Sequence, residues 1–255
     1  MRKLLIANWK MMYGPVKAGA WIRAFRRERL PKDVDIAVAV PHISLPAAKA
    51  SLGRASVPFL AAQNVSWMNE GAMTGEIAPS MLLELGVSMC IVGHSERRRE
   101  LEETDAMVAK KIAALQKAGI QPIVCVGETE AQKKKGKAEA LKAVRAQVQS
   151  VIAAGEWDTS APAIVIAYEP VWAIGSGKAC PPLEAKEMHE AIRESLKKKL
   201  GEEVANRVQI VYGGSVDPRN VADYLSTTGI DGALVGSASL DPRLFGMLCR
   251  AASTA

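Results

Sequence analysis

The chain has 255 residues, 49% hydrophobic and 24% charged, with a formal net charge of +6. Aromatic residues make up only 5%, too few for the base-stacking platforms of single-strand nucleic-acid binders. No apolar run approaches the roughly 18 residues of a membrane-spanning helix, so the basic excess reads best as steering for a small acidic ligand.

The opening segment MRKLLIANWKMM begins with two basic residues, Arg2 and Lys3, without the long apolar core or small-residue cleavage site of a secretory leader. From there, eight short and nearly continuous apolar runs follow one another. They are Leu4–Asn8, Asp35–Val40, Phe59–Asn64, Met89–His94, Pro122–Gly127, Ile164–Glu169, Val208–Tyr212 and Gly232–Gly236. Each is rich in Val, Ile or Ala, the pattern of a parallel strand buried on both faces. Between them lie amphipathic segments such as Val16–Arg29, Thr104–Ala118, Lys137–Ala153, Leu183–Leu200 and Val221–Thr227. In the second of these, Asp105, Met107, Val108, Ile112 and Leu115 keep helical spacing and Gly119 supplies a stop. The run Lys133-Lys134-Lys135, with Gln132, Lys137 and Glu139 around it, reads as a solvated helix face.

Strict strand–helix alternation implies a parallel sheet. Eight units favour a closed (β/α)8 barrel, an α/β fold of about 250 residues, over an open doubly wound sheet. The latter would want a GxGxxG turn after the first strand, where Asn8-Trp9-Lys10 stands instead. No linker or composition break divides the chain, so residues 1–255 are read as one domain. Cys90, Cys125, Cys180 and Cys249 form no CxxC pair and no metal pattern. Reduced thiols in a cytoplasmic setting are expected.

Polar residues concentrate where the predicted strands end: Asn8 and Lys10, Gly93-His94-Ser95-Glu96, Tyr168-Glu169-Pro170, Gly213-Gly214-Ser215, and Gly236-Ser237. In a barrel these ends converge on the face that carries the active site. Taken singly, Lys10 is a surface residue and His94 is as readily a satisfied core histidine as a catalytic one. Glu169 is harder to explain, because a buried carboxylate is costly without a partner. Together they suit removal of a proton beside a carbonyl: carboxylate as base, neutral imidazole on the oxygens, ammonium against the developing charge. The glycine-bearing turns at Gly213, Gly236 and Gly175-Ser176-Gly177 offer backbone N–H groups to an anion. Two of them follow strands 7 and 8, where barrels often hold phosphate. The segment Pro170–Lys178 follows Glu169 directly, apolar between a proline and small residues, and has the composition of a hinged lid.

These motifs resemble the triosephosphate isomerase family. The matching stretches are Asn8-Trp9-Lys10, Gln63-Asn64, Gly71–Ile77, Val92–Arg98 (VGHSERR), Cys125–Thr129, Ala167–Gly175 (AYEPVWAIG), Tyr212–Val216 and Ile230–Gly236, in the family's order and over nearly the whole chain. The family is itself a standard case of a glutamate base working with a neutral histidine under a closing loop. The resemblance implies interconversion of dihydroxyacetone phosphate and glyceraldehyde 3-phosphate through an enediolate, with no metal or other cofactor. It implies Glu169 as base, His94 as neutral electrophile, Lys10 as the countercharge, Asn8 shaping the oxygen site and Glu96 supporting Lys10 and His94. Ser95 would hold Glu169 while the lid is open. Cys125 would pack near the base, and the N–H groups of Gly175, Ser215, Gly236 and Ser237 would bind phosphate. It also implies a homodimer, in which the loop from Asn64 to Glu76 docks into the partner and sets Thr74 near the neighbouring site. Two positions depart from the family pattern. Ser176 replaces a more usual Thr. Ser237 replaces a second glycine and would weaken phosphate binding if its backbone needed positive φ.

Two other readings compete. A different sugar-phosphate enzyme on the same barrel would need room for a bulkier substrate under Trp172 and Ile174. A catalytically silent binding barrel would be expected to lose Lys10, His94 or Glu169, and all three are present. His42, His94 and His189 lie on separate elements without ligand spacing, which argues against metal catalysis.

Overall fold

The computed structural model describes residues 1–157, 161, 163–174 and 179–253. Eight strands form: β1 (Lys3–Asn8), β2 (Val34–Val40), β3 (Phe59–Ala62), β4 (Met89–Val92), β5 (Gln121–Val126), β6 (Val165–Tyr168), β7 (Gln209–Tyr212) and β8 (Gly232–Val235). Each pairs in parallel with the next in chain order, and β8 returns to β1 through Leu4↔Gly232 to Ala7↔Val235, closing the barrel. The apolar runs predict all eight strands, with ends shifted by one or two residues. β3, β4, β5, β6 and β8 stop one or two residues short of the predicted ends, and His94, Glu169 and Gly236, just past three of them, line the mouth.

The two-residue period of a strand divides its side chains between two cores. Leu4 and Ile6 of β1 point into the barrel, with Ala37, Ile91, Ile123, Cys125, Val211 and Leu234. Leu5 and Ala7 point outward, to a larger core shared with Ile22, Phe25, Ile112, Val144, Ile192 and Leu248 of the surrounding helices. Both faces are apolar, so the strands read as unbroken hydrophobic runs.

The helices are α1 (Pro15–Phe25), α2 (Leu45–Leu52), α3 (Pro79–Glu84), α4 (Ser95–Glu100), α5 (Asp105–Lys117), α6 (Glu130–Lys134), α7 (Lys137–Ala154), α8 (Pro182–Leu200), α9 (Glu202–Arg207), α10 (Val221–Leu225) and α11 (Pro242–Ser253). Their starts follow local chemistry. The Thr104 hydroxyl accepts the Met107 N–H at the head of α5, Thr129 and Gln132 form a reciprocal capping box on α6, and prolines open α1 and α8.

The lysine run differs in part from its sequence reading. Lys134 and Lys135 are exposed, as a solvated face requires. Lys133 instead lies 4.8 Å from the centre of the Trp172 ring and pairs with Glu184 of α8. Gly136 interrupts the helix behind it, so α6 turns independently of α7 and presents Lys133 to these neighbours.

Candidate active site

The strand ends bring Asn8, Lys10, His94 and Glu169 to one mouth, around a pocket of about 550 Å³ that Ser215, Gly236 and Ser237 also line. At the end of β1 the buried Asn8 accepts the Lys10 backbone N–H on Oδ1 at 3.0 Å. That bond helps hold Lys10 in the left-handed region, φ +51, where side-chain-bearing residues are uncommon. The resulting bend sends the Lys10 ammonium to Glu96 Oε1 at 2.6 Å. A strained residue beside a pocket is a common mark of function.

His94 follows β4 and caps α4. Its Nδ1 accepts the Glu96 backbone N–H at 3.2 Å, and its Nε2 lies 2.9 Å from Glu169 Oε1. Glu169 Oε2 accepts the Ser95 N–H at 2.9 Å. Glu169 is only 2% exposed. Burial penalises its charged form, but the His94 contact and the Ser95 hydrogen bonds outweigh this and hold its carboxyl below the usual range. For His94, burial opposes protonation, whereas Glu169 favours it and carries the imidazole pKa upward. The Nδ1 bond pulls the other way, because an imidazolium has no lone pair left to accept an N–H. The neutral tautomer with its proton on Nε2 satisfies both contacts at once.

A buried network fixes this corner from behind. Glu103 takes the Gly93 N–H at 3.0 Å, Arg97 Nε at 2.6 Å and Lys111 Nζ at 2.7 Å, and Lys111 also reaches Asn64 Oδ1 at 2.8 Å. Burial raises the Glu103 carboxyl pKa, but the two cations more than reverse it. On the other side, Glu128 is buried at the end of β5. Its Oε1 accepts Trp172 Nε1–H at 2.7 Å and the Tyr168 hydroxyl at 3.2 Å, while burial dominates and pushes its pKa up. These bonds hold the first turn after Glu169, the 3-10 segment Val171–Ala173. Gly213 completes the wall. A Cβ there would lie 2.9 Å from Glu169 Cγ, so only glycine lets the chain leaving β7 pass this close to Glu169.

Cys125 faces the barrel interior, and burial, with the Glu169 charge added, pushes its thiol pKa well up. It is a packed, unreactive thiol. Ser215 donates its hydroxyl to Ala173 O at 3.0 Å, linking the turn after β7 to the segment after Glu169. Ser237 is exposed at the pocket and opens the 3-10 turn Ser237–Ser239. Among the described residues only Lys10 and Glu102 combine a side chain with positive φ, so the backbone objection to serine at this position falls away. Thr74 is exposed on the loop after β3. Gly175, Ser176 and Gly177 lie outside the described residues.

Motif reading passes over Glu103, Lys111 and Glu128 as site builders, and takes Gly213 only as part of an anion-binding turn. Glu103 stands in an acidic, surface-like stretch. Glu128 and Gly213 fall inside recognised motifs, but nothing local shows what they touch.

An eight-stranded parallel barrel with a buried carboxylate, an imidazole and an ammonium at the C-terminal mouth defines an enzyme of acid–base chemistry. A sequence model of the triosephosphate isomerase family matches residues 3–252. A triosephosphate isomerase of Thermus thermophilus is 46% identical over 255 residues, covering 99% of this chain and 100% of the relative. One from Carboxydothermus hydrogenoformans is 44% identical, covering 96% and 97% respectively. One from Pseudomonas aeruginosa is 43% identical, with full coverage of both. The chain belongs to the triosephosphate isomerase family.

Proposed function

We propose that the chain interconverts dihydroxyacetone phosphate and glyceraldehyde 3-phosphate by proton transfer, with Glu169 as the base. The observation that carries this reading is the Glu169 carboxylate, buried against His94 Nε2 and Ser95 N at 2.9 Å each and opening onto the pocket. Among the described residues no lysine or arginine pairs with it, so it can exchange these bonds for a substrate carbon acid. Glu169 removes the C1 proton, and the electrons move onto the carbonyl oxygen to give an enediolate. His94 Nε2–H donates to the two oxygens in turn, and Lys10 stabilises the negative charge. A donor placed where charge develops acts most strongly in a water-poor site. Glu96 and Asn8 hold Lys10 in position. The N–H groups around Ser215, Gly236 and Ser237, with that of Gly175, bind the phosphate.

The exposed apolar residues favour a homodimer. Met11 is 95% exposed, Val16 86% and Ile43 73%. Met73, Met81, Leu83 and Leu101 add to an apolar surface formed by the loops and helices that follow the first four strands, and such a surface marks an interface. A partner seated there would bring its Thr74 loop to this site. In a size-resolved light-scattering measurement, a mass near 27.3 kDa rather than twice that would remove this reading. Four buried free thiols favour a reducing, cytoplasmic setting.

A coupled assay of the two triose phosphates tests the function. Wild type should be active in the presence of chelator. Glu169→Asp withdraws the carboxylate by about one methylene and should lower kcat on the order of 10²-fold. An inactive wild type would overturn the proposal.

A further inference from the structure

We propose that Tyr224, on α10, is a positioning residue for the phosphate end of the active site. The inference rests on the function proposed above, because it assigns that site's phosphate-binding turn a support.

Tyr224 is fully buried behind the pocket and does not line it. Its ring stacks on Tyr212, with centroids 4.2 Å apart and planes 13° from parallel. Tyr212 is the last residue of β7 and runs directly into Gly213-Gly214-Ser215. Its phenol folds back over that turn: a Cβ on Gly214 would lie 2.1 Å from the Tyr212 hydroxyl oxygen. The shape of the turn and the placement of the Tyr212 ring are therefore one constraint, and the Tyr224 ring fixes the second half of it.

The hydroxyl does what the ring alone would not. Tyr224 O–H donates to the Cys180 carbonyl, and the Tyr212 hydroxyl accepts the Cys180 N–H at 3.3 Å. Two stacked phenols thus grip both polar groups of one peptide residue, just before α8 begins. From the residue preceding α10, Asn220 Nδ2 donates to Ser215 O at 3.2 Å, and Asn220 Oδ1 accepts the Asp217 N–H at 2.9 Å. The end of β7, the turn and the chain at Cys180 are all tied to this five-residue helix. A leucine or phenylalanine would fill the volume; the hydroxyl is the feature that core packing does not require. A buried hydroxyl is retained at a net benefit only when it is bonded.

The test uses the full chain with Tyr224→Phe and Tyr224→Leu. Inorganic phosphate is the probe, titrated by calorimetry and also used as a competitive inhibitor. Losing one hydrogen bond in Tyr224→Phe should raise the phosphate dissociation constant and the KM for triose phosphate together, by about threefold to tenfold, with kcat changed less. Tyr224→Leu should raise both further. Tyr212→Phe combined with Tyr224→Phe should give less than the sum of the single effects, as expected for residues that share a partner. A merely structural tyrosine would lower the unfolding midpoint and leave the phosphate constant of the folded protein alone. An unchanged phosphate constant in folded Tyr224→Phe therefore overturns the proposal, whatever becomes of the leucine variant. If wild type binds phosphate without isomerising triose phosphates, the proposed function fails, while the calorimetric comparison still decides the role of Tyr224.

Discussion

His189 on α8 should make the fold acid-sensitive, by an amount the structure allows to be worked out. The residue is buried, with Nδ1 3.1 Å from Gly229 O and, among the described residues, no hydrogen-bond partner at Nε2. Burial pushes its pKa from 6.5 down to about 4. The folded protein therefore keeps the ring neutral where the unfolded chain takes up a proton. The stability this neutral ring preserves is present in full above the unfolded value of about 6.5 and is lost as pH falls toward the folded value. One pKa unit is worth about 1.4 kcal/mol, so by about pH 5 roughly 2 kcal/mol should be gone, and on the order of 3 kcal/mol once pH is below both values. The perturbation is His189→Gln, which keeps a donor for Gly229 O and cannot titrate. Urea unfolding of both proteins at about pH 7.5 and about pH 5, at one protein concentration because association also stabilises, measures the difference. The variant should be less stable at the higher pH, and wild type should lose about 2 kcal/mol more than the variant on acidification. The His94–Glu169 pair titrates equally in both proteins and cancels. Equal losses in the two proteins would refute the reasoning.

Two further substitutions probe the backbone and the buried network. Glu102 is exposed and held at φ +53, which costs an L-residue about 1–2 kcal/mol. After the unfolded-state entropy of glycine is set against this, Glu102→Gly should stabilise by about 0.5–1 kcal/mol, and a melting temperature that fails to rise would show that no strain is stored there. Lys111→Met should cost about 3–5 kcal/mol, because it strips one of two cations from the buried Glu103 carboxylate. Chemical denaturation would test this, and a loss under about 1 kcal/mol would mean that Arg97 alone satisfies Glu103.

The barrel and the polar side chains at its mouth are legible in the sequence for a common reason. A strand buried on both faces must be apolar throughout, so Leu4–Ala7 or Ile164–Ala167 announces itself, and the first polar residue after such a run marks the mouth. Asn8, His94 and Glu169 are found in this way, and a carboxylate there has no bland structural excuse. The supporting residues carry no such contrast. Glu103 sits among Glu100, Leu101, Glu102 and Asp105, and only the closed fold shows that it, unlike its neighbours, turns inward to Lys111. Lys133 is indistinguishable from Lys134 until Gly136 is seen to break the helix and Trp172 to arrive beneath it. Tyr224 has helical spacing and a plausible core position, so the sequence accounts for its ring and says nothing of its hydroxyl, whose partner is 44 residues away. Local pattern reports whether a residue faces in or out. The identity of a partner depends on how eight βα units close, and here that closure sets the turn after β7 on a stacked pair of tyrosines and Glu169 on the backs of Ser95 and His94. Substitutions at Glu103, Lys111 and Tyr224 are therefore where kinetics and stability should separate most clearly from anything a motif predicts.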